Sequence, residues 1–261
     1  MLFRKFWNCC RMFKYTCFLI AFFIFPNAFR AQNTKLENKE QYFLTQYKKY
    51  SENEDYDSKA DESLKFSGEF KKFIAENPET LTYDFKLLKK KLFIATSADK
   101  KLRFYGWDTE LGGTMKSFDQ IIQYSSNGKA KTIFNKDQAD TAYFTSEIIK
   151  VTLNKQIYYL VISNGIFSSK DNAQRVQAFT ISNNRLIDSN KIFRTKTTAL
   201  NKIQIDFDFF SVVNRPERPL KLIKFEQNKL YIPLVDKEGK VSDKFLIYQL
   251  NNNYFQYIGI Q

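Results

Sequence analysis

Lys91-Leu-Phe-Ile-Ala-Thr-Ser97 followed by Lys101-Leu-Arg-Phe-Tyr-Gly-Trp107 is the stretch that decides the fold, because the chain writes the same pair of segments three times. The second copy is Gln156-Ile-Tyr-Tyr-Leu-Val-Ile162 with Arg175-Val-Gln-Ala-Phe-Thr-Ile181. The third is Lys229-Leu-Tyr-Ile-Pro-Leu-Val235 with Lys244-Phe-Leu-Ile-Tyr-Gln-Leu250. Each segment is short, rich in β-branched and aromatic residues, and bounded by turn-forming residues, which is the pattern of antiparallel strands. Additional alternating segments surround each pair. The first unit takes in 118–124 and 130–134, the second 148–153 and 186–193, and the third 221–225 and 254–258. Asn127-Gly128 and Asn183-Asn184 tolerate the positive φ that tight hairpins need. The expected fold is therefore mainly β: four-stranded antiparallel meanders, either propeller-blade-like or forming an open sheet or sandwich. Residues 203–210 form an odd strand that fits a degenerate fourth blade. Pro233 within a strand points to an edge or a bulge.

Upstream of the strands the apolar period changes. Leu36, Phe43, Tyr47 and Tyr50 fall on one helical face, and a second stripe runs through Ala60, Leu64, Ser67, Phe70, Phe73 and Ile74. The acidic stretch Glu52-Asn-Glu-Asp-Tyr-Asp57 separates them as a solvated linker, with Asp57 or Ser58 as the expected cap. Asn77-Pro78 ends the second helix, since proline disfavours helical geometry in the residue before it. An α-helical hairpin over 32–80 thus precedes a β-meander domain over 81–261.

Residues 1–31 read as an export signal. Arg4, Lys5, Arg11 and Lys14 form a basic start without acids, and the apolar run Cys17–Phe25 closes at Pro26. At about 1.5 Å per residue this run covers less than half of a ~30 Å hydrocarbon core. Cleavage is expected after Ala31 or Ala28. The alternative is an uncleaved anchor, because Phe29 or Pro26 occupies the upstream position where a small residue is favoured. Membrane contact is expected only through this segment if it is retained. All three cysteines (Cys9, Cys10, Cys17) lie in it, so the mature chain would have no disulfide. A chain of this length can bury a full core without one.

The formal charge is +13, but five of the forty-one basic residues belong to the leader, leaving thirty-six against twenty-eight acids. This surplus is scattered, its longest run being Lys89-Lys90-Lys91. The aromatics fall on alternating strand positions rather than among the lysines, so nucleic acid is not an expected partner.

Absences narrow the chemistry. There is no histidine, which removes Ser-His-Asp triads, a histidine base and the usual zinc sites. No thiol nucleophile remains after the leader, and no pattern implies a cofactor or a metal. Asp206 and Asp208 alternate onto one strand face, about 6.5–7 Å apart along the chain, a spacing compatible with a glycosidase pair. They equally suit the wet side of a strand whose other face is Ile203, Ile205, Phe207 and Phe209. Ser97–Lys100 and Ser126–Lys129 match Ser-x-x-Lys but sit at hairpin turns, not at the start of a helix. Asp236–Asp243 reads as a charged hairpin tip.

The segment Phe104–Thr114 departs most from simple folding needs. It carries Tyr105, Trp107, Asp108 and the pair Gly112-Gly113. Glycine amides can cradle an anion and the aromatic rings can stack on a sugar, so these five residues are the candidate ligand-binding set. The other reading makes Trp107 a core anchor and the glycines a strand-to-strand corner.

Ser97-Ala-Asp-Lys-Lys-Leu-Arg-Phe-Tyr-Gly-Trp-Asp-Thr-Glu-Leu-Gly-Gly-Thr-Met115, followed by Phe118 and Gln123-Tyr124, resembles a stretch found in uncharacterised exported proteins of the Bacteroidota. The resemblance implies a periplasmic, outer-envelope or secreted location and adds no catalytic residue. The expectation is an exported, non-catalytic β-rich protein that binds a glycan, a peptide or an envelope protein. The alternative is a carboxylate-based hydrolase acting on glycans through Asp206 and Asp208.

Overall fold

The computed structural model describes residues 33–134 and 141–261. The expected leader, with the three cysteines and the expected cleavage positions, lies outside the described residues. No described helix is long and apolar enough to cross a membrane.

Helix α1 (residues 33–51) buries Leu36, Phe43, Tyr47 and Tyr50, the face expected from their spacing. Helix α2 (Tyr56–Glu76) starts earlier than expected. Its N-cap is Asp55, whose carboxylate accepts from the Ser58 amide at 2.9 Å, leaving Asp57 in the first turn where a negative charge suits the helix dipole. Its buried stripe is also rotated from the expected one. Ser63, Phe66, Ser67, Phe70, Phe73 and Ile74 face inward, while Leu64 is 67% exposed. The rotation brings Phe66 and Phe70 against Phe43 and Trp107, gathering more aromatic surface than a stripe through Leu64 would. At the end of α2 the Asn77 amide and side chain both donate to the Phe73 carbonyl, and Pro78 opens a 3-10 turn.

Fifteen strands are described: β1 (Phe93–Thr96), β2 (Leu102–Asp108), β3 (Phe118–Ser126), β4 (Lys129–Phe134), β5 (Tyr143–Leu153), β6 (Gln156–Ile166), β7 (Asp171–Ser182), β8 (Arg185–Ile187), β9 (Phe193–Arg194), β10 (Ala199–Leu200), β11 (Lys202–Asp208), β12 (Lys224–Glu226), β13 (Lys229–Val235), β14 (Val241–Leu250) and β15 (Phe255–Ile260). They form three sheets. The first is the meander β1-β2-β3-β4. The second is β11-β7-β6-β5, with β8 pairing the end of β7. The third is β10-β9-β15-β14-β13-β12. The fold is mainly antiparallel β behind an N-terminal helical pair, as the periodicities indicate, and no closed barrel forms among the described residues.

Two expectations change in detail. The strand expected over 186–193 is broken by the polar run Asp188-Ser-Asn-Lys191. Its start stays on the second sheet, while Phe193–Arg194 crosses to pair in parallel with β15 of the third. The odd strand is not a fourth blade: β11 completes the second sheet, Ile203 facing Val176 and Phe207 facing Asn172 across the ladder. Tight hairpins carry consecutive positive φ values at Asn127-Gly128, Asn154-Lys155, Asn183-Asn184 and Gln227-Asn228, the backbone of type I′ turns. Pro233 sits at a register shift of the β13–β14 ladder, beyond the three pairs that β12 makes, so its missing N–H costs no ladder bond there.

Packing follows from strand alternation. On β2, Leu102 and Phe104 face the second sheet and meet Tyr159, Val161 and Phe179. Tyr105 and Trp107 face the other way, into the helical pair. The opposite face of the second sheet (Leu160, Ile162, Val176, Ile205, Phe207) packs on Leu230, Ile232, Tyr248 and Phe255 of the third. Four layers result, in chain order: helices, first sheet, second sheet, third sheet.

Candidate functional site

In the Phe104–Thr114 corner, Tyr105 and Trp107 are fully buried, so neither ring presents a face to a ligand in this structure. Trp107 meets Phe66 and Phe70 edge-on, at 5.6 and 5.5 Å between centroids, and donates its indole N–H to the Ser67 hydroxyl. The Tyr105 hydroxyl lies 2.9 Å from the Thr80 carbonyl and 2.8 Å from Gln123 Oε1. Burial pushes its pKa up to about 12, against the downward pull of the neighbouring Arg103 guanidinium. Arg103 in turn donates to Thr96 Oγ1 and to the carbonyls of Thr80 and Tyr83. These groups fasten the segment after α2 to the first sheet.

Asp108, Gly112 and Gly113 lie nearer the surface, in a corner held from several sides. The Asp108 carboxylate accepts from the Glu110 amide at 2.8 Å and pairs with Lys116 at 2.8 Å, while its carbonyl accepts from Tyr50. That bond to Asp108 raises the Lys116 pKa, against a smaller opposing effect of burial. Thr109 bonds Ser117 through both its amide and its hydroxyl, and Ser63 of α2 donates to the Thr109 carbonyl. A Cβ on Gly112 would lie 2.6 Å from the Ser117 nitrogen and against the Met115 carbonyl, so glycine is required by close backbone approach. Tyr105, Trp107 and Asp108 form part of the seat on which the helical pair docks, whereas Gly112 and Gly113 shape the turn that leads from Asp108 to Ser117.

The two carboxylates have separate structural partners. Asp208 caps the 3-10 turn Phe209–Val212, accepting from the Phe210 amide at 2.8 Å, and its own amide donates to the Gly239 carbonyl. Asp206 is exposed and accepts from Gln204 Nε2 at 2.8 Å. The Ser-x-x-Lys serines are turn residues as read. Buried Ser97 Oγ accepts from the Lys101 and Leu102 amides, and Ser126 donates to Asn184.

A small cleft of about 100 Å³ opens instead on the apolar side of the β11 strand. Phe207 and Phe209 line it together with Phe144, Asn164 and Asn172, under a roof that contains Arg218, Pro219 and Leu220. Gln174, fully buried, fixes that roof. Its Nε2 donates to the Leu220 carbonyl and to Asn164 Oδ1, each at 2.7 Å, and its Oε1 accepts from the Leu222 and Ile223 amides. Asn164 also donates to Ser146 at 2.8 Å. Asn172, 9% exposed, differs: its Oδ1 is buried and has no hydrogen-bond partner. Arg218 is exposed at the roof, its guanidinium donating to the carbonyls of Val213, Arg215 and Glu217 and lying 5.5 Å from the Phe209 ring centre. The sequence signal that marks this cleft is a pair of amides, Asn172 and Gln174, on the inward positions of a strand whose next inward residue is Val176.

A second, larger groove of about 610 Å³ lies beside the start of α1, lined by Glu37, Glu40, Glu79 and Asp84 among others. Glu40 is committed there to structure, accepting from Tyr83 and from the Leu87 and Leu88 amides.

Comparison with protein-family models, with curated proteins and with solved structures finds no match for this chain.

Proposed function

We propose that the protein is an exported, non-catalytic binding module of the cell envelope or exterior, and that the cleft at the end of the second sheet is where it engages its ligand. Export is read from the basic leader and the short apolar run of residues 1–31. The observation that supports binding is a cleft walled by Phe144, Phe207 and Phe209 and lined by Asn172, whose buried Oδ1 has no partner. Concave apolar walls with a few convergent polar groups are the usual make-up of a small-ligand site. The glycan, peptide and envelope-protein readings all remain ligands of this one module.

The test has two parts. The mass of the N-terminus of protein recovered outside the cytoplasm reports export, with a chain retained inside and carrying residues 1–31 as the contrary result. Screening the purified protein against glycan and peptide panels, and against envelope extracts by co-purification, reports binding. No saturable interaction in any of these removes the binding claim.

A further inference from the structure

We propose that the cleft between Asn172, Phe207, Phe209 and Pro219 takes a single aromatic ring bearing a hydrogen-bond donor, a group of the phenol type. The proposal rests on the binding reading of this cleft and names its ligand class.

Three observations carry it. The first is the acceptor. On the same sheet face Asn164 and Gln174 have their amides hydrogen-bonded to protein, whereas Asn172 Oδ1 is buried without a donor. A buried, unmatched acceptor is costly; Asn172 lines the cleft, and a turn about its terminal torsion brings that oxygen to a ligand O–H or N–H, which recovers the cost. The second is the wall. Phe144, Phe207, Phe209, Pro219 and Leu220 surround the space with apolar atoms, and aromatic rings pack edge-to-face or offset against such walls. A sugar ring would bring hydroxyls on most sides and leave several of them unmatched here. The third is size. About 100 Å³ is somewhat less than the roughly 150 Å³ of an engineered apolar cavity that binds benzene, which suits one ring entering from an open mouth.

Arg218 stands at that mouth. Carbonyls of Val213, Arg215 and Glu217 hold its guanidinium beside Phe209. An electron-rich ring seated next to Phe209 lies within reach of a fixed cation, which favours phenol over an electron-poor ring. The donor points inward to Asn172 and the remainder of the ligand leaves past Arg218. Both a free phenol and a tyrosine side chain of a peptide present this chemistry.

The full chain, 15N-labelled, is titrated with p-cresol, toluene and N-acetyl-tyrosine amide while amide resonances are followed. The expected result is saturable shifts at Gly165, the Asn172 side chain and Leu220 with p-cresol, and about tenfold weaker binding of toluene, the effect of one neutral hydrogen bond. In Asn172→Leu, which keeps the γ-branched side-chain shape and removes the unmatched acceptor, the preference for p-cresol over toluene disappears while the spectrum stays dispersed. Tighter binding of the tyrosine derivative assigns a peptide source, and binding of p-cresol alone assigns a free phenol; both support the ring site. The proposal is overturned if neither ring shifts the cleft resonances, if toluene binds as tightly as p-cresol, or if Asn172→Leu keeps the preference. Binding of another ligand elsewhere, with these resonances unmoved, overturns the ring site and leaves the broader binding reading standing.

Discussion

Trp107 donates its indole N–H to the Ser67 hydroxyl at 3.1 Å, and this bond joins the first sheet to the second helix at the centre of the aromatic layer. Both residues are buried, so the bond has no water to replace it. Ser67→Ala leaves an unmatched N–H and is expected to destabilise the protein by about 1–3 kcal/mol. Trp107→Ala removes the ring as well and is expected to cost about 3–5 kcal/mol. Denaturant unfolding checks both, with the larger loss in the tryptophan variant.

Asp99 links the first sheet to the second across their interface. Its carboxylate accepts from Ser97, the Lys101 amide and Tyr159, and lies 3.5 Å from Lys150. Burial raises its pKa, but these bonds and the Lys150 charge outweigh that effect and hold it below the ordinary value. The stabilisation is therefore complete above the unfolded-state pKa of roughly 4 and is lost as pH falls through the lower folded value. Asp99→Asn is expected to be less stable than the parent by about 1 kcal/mol at neutral pH. The two proteins should converge as pH falls below the folded value, as read from urea midpoints across the acid range.

Tyr105 makes the opposite prediction at high pH. Its folded pKa stands at about 12, above the ordinary tyrosine value of 10. Its contribution is present below pH 10 and declines as pH rises towards 12, because the unfolded chain ionises first. Tyr105→Phe is expected to lower stability at neutral pH and to flatten the alkaline decline, measured by thermal unfolding between pH 9 and 12. An equal alkaline slope in the variant would show that other tyrosines set it.

Gln174 holds the roof of the cleft through three hydrogen bonds, to the Leu220 carbonyl and from the Leu222 and Ile223 amides. Gln174→Leu leaves the Leu222 and Ile223 amides without their acceptor and is expected to cost about 2–4 kcal/mol. Hydrogen exchange should speed at those two amides first. Unchanged protection there would mean that the roof is held by packing alone.

The strands and their turns were legible because they depend on local rules. Alternation placed β2 and β13 closely and found β6, β7 and β14, each of which extends further at one end, and Asn-Gly and Asn-Asn pairs marked hairpins through their tolerance of positive φ. The layer order was not legible, since the direction each strand face points depends on which sheet stacks on it. Helix α2 shows the same limit: Leu64 satisfies the apolar period, yet packing selects Phe66 because its ring meets Phe43 and Trp107. For the site, unusual composition drew notice to Trp107, which serves the docking of the helices, and to Gly112-Gly113, which shape the adjoining turn. Asn172 drew none, since an asparagine on a strand becomes conspicuous only once its side chain is seen buried without a partner.

The central claim is that the protein binds at this cleft and leaves its ligand unaltered. The most direct measurement follows the Gly165, Asn172 and Leu220 resonances of the 15N-labelled protein during titration with a peptide and glycan panel, with each ligand's mass determined afterwards. Saturable shifts confined to the cleft, with the ligand recovered intact, are the expected result. Cleft resonances that no ligand moves, or ligand recovered cleaved, would contradict it.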